Sequence, residues 1–278
     1  MTVRLFNRLL AIALLIIAFA SCSDSAKEDL EPNVPLESTI KVHVENAGNL
    51  SSLLNVELKN IKDLAISGKL NGDDITILRA MNKTLVTLDL SEAQIVEGGG
   101  YYLYNPYPLS GMKQKYYTIN NIFPSFGMDN FFELQEIKLP KTVTKIDDFA
   151  FFSCKKLKTI EIPQNVYNLG RNVFQGCESL EKISLSSNLK LIPIQTFQGC
   201  LNLKEITLPE KIDSIGSSAF SGCNSLEKLH IKSENPPVTG SWFKEDCENC
   251  TLYIPQGCKT TYINAGEPWT LFKDIIEE

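Results

Sequence analysis

The residues best suited to chemistry in this sequence are its cysteines. Eight occur in 278 residues, and four of them, Cys154, Cys177, Cys200 and Cys223, stand 23 apart. One thiol per 23 residues matches no zinc pattern, which needs ligands a few residues apart. A fixed interval instead gives each thiol the same inward slot, where free cysteine packs as a small hydrophobe. Cys247-x-x-Cys250, followed by Cys258, hints at metal or redox chemistry. There is no second Cys-x-x-Cys, and the two histidines are His43 and His230, so no metal site is expected. Two of those three cysteines could pair in an oxidising compartment, but buried or half-buried thiols are the expectation. No catalytic set stands out. A phosphate loop after a strand, a nucleophile elbow and a triad histidine are all missing. Paired acids such as Asp147 and Asp148 are usually solvated in turns. The chain is read as non-enzymatic and free of cofactors.

The tyrosines point to recognition instead. Six of nine, Tyr101, Tyr102, Tyr104, Tyr107, Tyr116 and Tyr117, fall in one short stretch. Tyrosine resists disorder and favours contact surfaces. These six are the candidate ligand-binding residues, suited to a glycan or a protein loop.

The elements that must position them follow from a repeat. Leu134, Leu157, Leu180, Leu203 and Leu226 are 23 apart and each opens a copy. Numbering offsets from that leucine, offset 3 is Ile137, Ile160, Ile183, Ile206 and Leu229, and offset 5 is Leu139, Ile162, Leu185, Leu208 and Ile231. Offset 12 is Ile146, Leu169, Ile192, Ile215 and Val238. Offset 17 is Phe151, Phe174, Phe197, Phe220 and Phe243, and offset 20 is the cysteine column, closing with Asp246. So strict a register predicts a solenoid. Leu-x-x-Ile-x-Leu reads as a strand, because offsets 3 and 5 share a face. Pro140, Pro163 and Pro209 end it, lacking an N–H for the ladder. Gly216 is suited to a turn that brings the chain back to the core. Copies should stack about 4.8 Å apart in a parallel sheet, with the phenylalanines aligned in a buried spine. A lone copy cannot fold, so both ends need caps.

Residues 39–84 do not keep the period. They contain strand-like Lys41–Val44 and Leu64–Ile66, then Ile75, Leu78, Arg79 and Met81 at helical spacing, and read as an α/β N-terminal cap closing the first sheet edge. Repeats run over 85–250. Leu85 to Leu134 spans one period plus 26 residues, an insertion at about 97–122 that holds Gly98-Gly99-Gly100 and the tyrosines. Past it, Phe123, Met128 and Phe131 fall on the offsets of Ile192, Phe197 and Cys200. The last copy drifts at Asn235-Pro236-Pro237. A strand at Thr251–Pro255 follows. Lys259–Ala265 and Pro268–Ile276 read as helical pieces, giving a short helical C-terminal cap over 251–278.

The text from Leu157 to Cys177, LKTIEIPQNVYNLGRNVFQGC, and its close copies resemble the BspA-type leucine-rich repeats of bacterial surface proteins. The resemblance implies a β-rich leucine-rich-repeat solenoid and a non-enzymatic surface role in adhesion or protein binding.

The start of the chain reads as a secretion signal over 1–21, with Arg4 and Arg8 before the apolar run Leu9–Ala20. That run of 12 is too short to span a bilayer. Phe19-Ala20-Ser21-Cys22 resembles a bacterial lipoprotein cleavage box, with Cys22 the acylated residue. Ser23–Asp29 is similar to the export tag of Bacteroidetes lipoproteins. Residues 22–38 read as a flexible linker. The expected location is the outer membrane, lipid-anchored and surface-exposed, the membrane being touched through the anchor alone. Net charge is −6, and −8 with the signal removed, which disfavours nucleic acid.

A weaker candidate surface is the outward face of the sheet, bearing Glu136, Lys158, Glu161, Lys182, Lys204, Glu205, Lys228 and His230. Lys158, Glu181, Lys204 and Glu227 alternate in sign from copy to copy, predicting a self-paired face without aromatic anchors. The function expected is a binding module for a host or neighbouring-cell protein or glycan. The alternatives are a structural envelope protein without a ligand, or an accessory subunit of a carbohydrate-active system.

Overall fold

In the computed structural model, residues 39–54, 56–105, 114–240 and 249–278 are described. The signal segment, Cys22, the linker, Tyr107, Phe243, Asp246 and Cys247 lie outside them. The chain begins β1 (Ile40–Val44), α1 (Leu50–Leu53), β2 (Asp63–Leu70), α2 (Gly72–Arg79) and β3 (Thr87–Ile95). A hairpin follows, β4 (Gly98–Asn105) and β5 (Gln114–Thr118), then β6 (Ile122–Phe123). Short strands then alternate along the coils: β7 (Glu136–Lys138), β8 (Lys145–Ile146), β9 (Thr159–Glu161), β10 (Asn168–Leu169), β11 (Lys182–Ser184) and β12 (Leu191–Ile192). They continue as β13 (Glu205–Leu208), β14 (Ser214–Ile215), β15 (Lys228–Ile231) and β16 (Val238–Thr239). The chain ends with β17 (Thr251–Ile254), α3 (Lys259–Asn264) and β18 (Asp274–Glu277).

Coils stack in parallel register. Ile137 pairs Ile160 and Ile160 pairs Ile183, equivalent residues 23 apart. The phenylalanine spine is present: Phe151, Phe174, Phe197 and Phe220 are buried and stack with centroids 5.5, 5.6 and 5.3 Å apart. Met128 and Phe131 are buried at the first-coil positions of those columns, and Phe123 stacks on Phe151 at 5.0 Å. Each column cysteine is buried, and its Sγ–H is donated to a carbonyl of the preceding coil: Cys154 to Met128, Cys177 to Phe151, Cys200 to Phe174 and Cys223 to Phe197, at 2.9–3.3 Å. The thiol is therefore also a weak donor to a buried carbonyl, which an aliphatic side chain could not be.

Four expectations need correction. The region over 39–84 is not a plug laid across the sheet edge. Ile40 pairs Leu64 and Leu64 pairs Leu88, so β1 and β2 are stacked coils with a 24-residue spacing, and β1 is itself the edge of the six-stranded sheet β1-β2-β3-β7-β9-β11. Residues 268–276 are not mainly helical. A single turn at Trp269–Leu271 precedes β18, which pairs β17, because the open edge of β17 offers backbone partners that a helix would leave unused. Val238 is 74% exposed: Asn235-Pro236-Pro237 adds a residue, so Thr239 pairs Ile215. Cys247 is late by that same single residue in the sequence. Finally, Gly216 does not have positive φ. Its backbone lies so close to the preceding coil that a Cβ would sit 2.5 Å from the Ile194 nitrogen.

Left-handed backbone recurs elsewhere, at offset 15 in Phe126, Phe149, Asn172, Gln195 and Ser218, and again at offset 19 in Asn130, Ser153, Gly176, Gly199 and Gly222. From this turn N–H groups are donated forward to the next coil, as in Phe149 N–H to Arg171 O (2.9 Å) and Phe151 N–H to Val173 O (3.0 Å). At offset 13 they are donated backward, as in Gly170 to Ile146 O and Gly216 to Ile192 O, both 2.7 Å. Pro193 has no N–H to give Leu169, and the short-strand sheet divides there into β10-β8-β6 and β12-β14-β16. The larger sheet also divides, into the six strands above and β13-β15-β17-β18.

Candidate functional site

The insertion is an ordered antiparallel hairpin among the described residues, and its glycines and its rings fix it at two ends. At its base Gly72, opening α2, meets Gly100: a Cβ on Gly72 would lie 2.1 Å from the Gly100 carbonyl oxygen. The Gly100 N–H is donated to Asp73 Oδ1 at 2.9 Å. The paired glycines thus let backbone sit directly on a helix start.

Alternation along β4 and β5 then divides the tyrosines. Tyr102 is buried, donates its hydroxyl to the Ser125 carbonyl at 2.7 Å, and lies 6.4 Å from the Tyr116 ring. Burial pushes its phenol well above its ordinary range. Tyr116 sets its edge against Phe126 at 5.3 Å. Burial, then the carboxylates of Asp148 and Asp147, raise its phenol as well. Tyr101 and Tyr117 point away, 48% and 52% exposed, edge-to-face at 6.4 Å, with Lys115 Nζ 4.8 Å above the Tyr101 ring. Tyr104 lies in β4, but its side chain is outside the described residues. The six tyrosines are therefore not one surface: Tyr102 is structural, Tyr116 faces the coils, and Tyr101 and Tyr117 face out.

Between Tyr116 and the coils is a cleft of about 1000 Å³. Its aromatic wall is Phe126 stacked on Phe149 at 4.7 Å, with Phe152 edge-on to Phe149 at 5.9 Å. Beyond the phenylalanines the same columns turn to amides. Asn172 Nδ2 donates to Gln175 Oε1 (2.6 Å) and to Gln195 Oε1 (3.0 Å), and Gln195 Nε2 donates to Gln198 Oε1 (2.9 Å). The rim carries Asp147, paired with Lys145 at 2.7 Å, and Asp148, held by Arg171 Nε and Nη2 at 3.2 and 3.0 Å. Its charges cancel.

Sequence reading missed Phe126, Phe149 and Phe152. The available signal was their departure from the other copies, which carry Asn172, Gln195 and Ser218 at offset 15 and Gln175, Gln198 and Ser221 at offset 18.

The sheet face is exposed at Glu136, Lys158, Glu161, Lys182, Lys204, Glu205 and Lys228. The expected alternating pairs do not form: no ion pair joins Lys158, Glu181, Lys204 and Glu227. On the strands the ion pairs are Lys138–Asp89 (3.2 Å) and Lys228–Glu205 (3.8 Å), while Lys156–Glu133 (2.7 Å) and Lys155–Glu178 (2.8 Å) join the turns before the strands. Nor is the face free of aromatics. His230 stacks on Tyr253 at 4.3 Å, with Nδ1 2.8 Å from Glu278 Oε1 and Nε2 3.5 Å from Glu205 Oε1. A groove of about 890 Å³ where β11 and β13 part holds Lys182, Lys204 and Glu205 but no ring. Cys250 and Cys258 are free thiols, and no group of metal-ligating side chains occurs among the described residues. No helix among them is long and apolar enough to cross a membrane.

Residues 122–251 match the family described as BspA type leucine-rich repeat region, in 6 copies. No curated protein matches the chain. Among solved structures, the T. pallidum leucine-rich repeat protein TpLRR is 23% identical over 51% of this chain and 65% of its own, with a TM-score of 0.40. The pneumococcal vaccine antigen PcpA is 19% identical over 79% and 60%, with a TM-score of 0.46. A leucine-rich repeat protein from Bacteroides ovatus is 18% identical over 85% and 66%, with a TM-score of 0.35. The chain thus spans less than two thirds of each of these three proteins.

Proposed function

Starting from a chain whose residues 122–251 match the family described as BspA type leucine-rich repeat region, we propose that it is a non-catalytic binding module. It is held on the outer face of a bacterial outer membrane by acylated Cys22, and contacts a protein or glycan of a host or neighbouring cell. The observation that supports this reading is the cleft beneath the hairpin. Partly exposed aromatic carbon sits beside polar side chains in a concave site, the mixture that ligand sites use. The sheet groove has no such anchor.

Two measurements test it. Cys22→Ala should release the protein from the membrane fraction; retention there would remove the anchor. Purified full-length chain in detergent should bind saturably to an array of host matrix proteins and glycans. Binding should weaken when Phe152 and Tyr116 are changed to Ala. Saturable binding indifferent to both changes would move the site elsewhere, and no binding at all would favour a purely structural envelope role.

A further inference from the structure

We infer that the cleft between β5 and the coils takes a neutral, hydroxyl-rich ligand, a run of uncharged pyranose sugars. The inference rests on the reading of this cleft as the contact surface and adds the chemistry of its occupant.

Charge makes the first selection. Asp148 is neutralised by Arg171, whose Nε and Nη2 both donate to Asp148 Oδ2, and Asp147 by Lys145. No uncompensated charge remains at the rim to attract a polyanion or a basic peptide, and a charged ligand would have to displace a formed pair.

Shape and polarity make the second. A pyranose has an apolar C–H face and a ring of hydroxyls that both donate and accept. Tyr116, Phe149 and Phe152 are half-buried and present ring carbon to the cleft. The next two coils continue the same columns as carboxamides, and each carboxamide has two donors and an acceptor. The network uses only part of this capacity: Asn172 Nδ2 serves both Gln175 and Gln195, and Gln175 and Gln195 each give Nε2 to Gln198, leaving each of those two amides a second N–H. Gln175 and Gln195 remain partly exposed to the cleft. Rings at one end and held amides at the other, about one strand spacing of 4.8 Å apart per coil, suit a ligand that is itself alternately apolar and hydroxylic. A protein loop would bring backbone and charge that this lining does not select.

The experiment is isothermal titration of full-length chain in detergent with four probes: barley β-glucan, yeast α-mannan, soluble starch and heparin. The expected result is saturable binding of at least one neutral polysaccharide and none of heparin. Q175A/Q195A should weaken it roughly tenfold, the value of about two uncharged hydrogen bonds. Y101A/Y117A, on the far face of the hairpin, should leave it unchanged. Thermal melting establishes that each variant folds. F152A, whose ring only edges Phe149, is the second probe should Q175A/Q195A melt early. No binding of any neutral polysaccharide, or binding of heparin alone, overturns the glycan assignment. If a protein ligand from the array of the previous section is then lost in Q175A/Q195A, the cleft stands and only its chemistry was wrong. Polysaccharide binding untouched by Q175A/Q195A and F152A overturns both.

Discussion

Replacing Asp74 by alanine should cost about 3–6 kcal/mol, although the residue touches neither the repeats nor the cleft. Its side chain is fully buried at the start of α2. Oδ1 accepts the Leu50 N–H at 2.9 Å, and Oδ2 accepts the N–H groups of Asn71 at 2.9 Å and Gly48 at 2.6 Å. The Asn71 side chain returns the capping bond to Asp73 N–H at 3.0 Å, closing a reciprocal cap. Alanine strands two buried donors and one half-buried donor. Each buried donor left without a partner costs about 1–3 kcal/mol, and water reaches Gly48 more easily than the other two. Asp74→Asn keeps one carbonyl oxygen but turns an NH₂ toward a donor, so about half the loss is expected. Urea unfolding followed by circular dichroism measures both, through the midpoint and slope. Because stacked coils are held only by their neighbours, the loss should appear first over residues 39–80. Amide exchange at Leu50 and Asn71 should speed up while Phe174 and Phe197 stay protected. A change below 1 kcal/mol for Asp74→Ala, with exchange at Leu50 unaltered, would refute the reasoning.

Gly72→Ala should detach the hairpin without unfolding the coils. Its Cβ would meet the Gly100 carbonyl at 2.1 Å, while alanine suits a helix better than glycine by about 1 kcal/mol; limited proteolysis within 98–118 should rise and the melting temperature should hold. Alkali should unfold the chain progressively between pH 9 and 12. Burial raises Cys154 from an ordinary 9.0 to about 12, and it raises Cys177 and Cys200 well above that ordinary value too. The folded state therefore keeps protons that the unfolded state has already lost, and this contribution is intact below pH 9 and disappears as pH climbs to 12. For Cys154 it is about 4 kcal/mol, so Cys154→Ala should flatten the pH profile of unfolding above 9, whatever it costs at neutral pH. The same burial should leave the four column thiols unreactive to a disulfide reagent at pH 8 in native chain, with Cys258, partly exposed, reacting first.

The repeat was legible because its core columns are chemically uniform. Phe151, Phe174, Phe197 and Phe220 fill one slot with one shape, and only one register buries them all. The first coils were not legible. Ile40, Leu64 and Leu88 pair at intervals of 24, out of phase with the 23-residue period of the later coils. The offset-15 turn was invisible for the opposite reason. Its backbone is the same in every coil, yet Phe149, Asn172, Gln195 and Ser218 share no side-chain property, since the neighbouring coils impose the conformation. That variability conceals the cleft, whose rings and amides occupy columns that the core does not constrain. The tyrosine cluster was legible as a cluster, but its division needed the strand phase that separates Tyr102 from Tyr101 and Tyr117.

The matching register of successive coils has a consequence for how such a chain can lengthen. Every coil from Leu157 to Cys223 offers its successor the carbonyl that the next thiol bonds and the ring face that the next phenylalanine stacks on. A duplicated stretch of 23 residues spliced in after Cys223 would find the partners of its thiol and its spine ring waiting. It would carry the terminal strands one sheet spacing farther along, and leave Tyr116, Phe149 and Gln195 where they are. Reach can therefore change in whole steps by duplication, while grip stays constant.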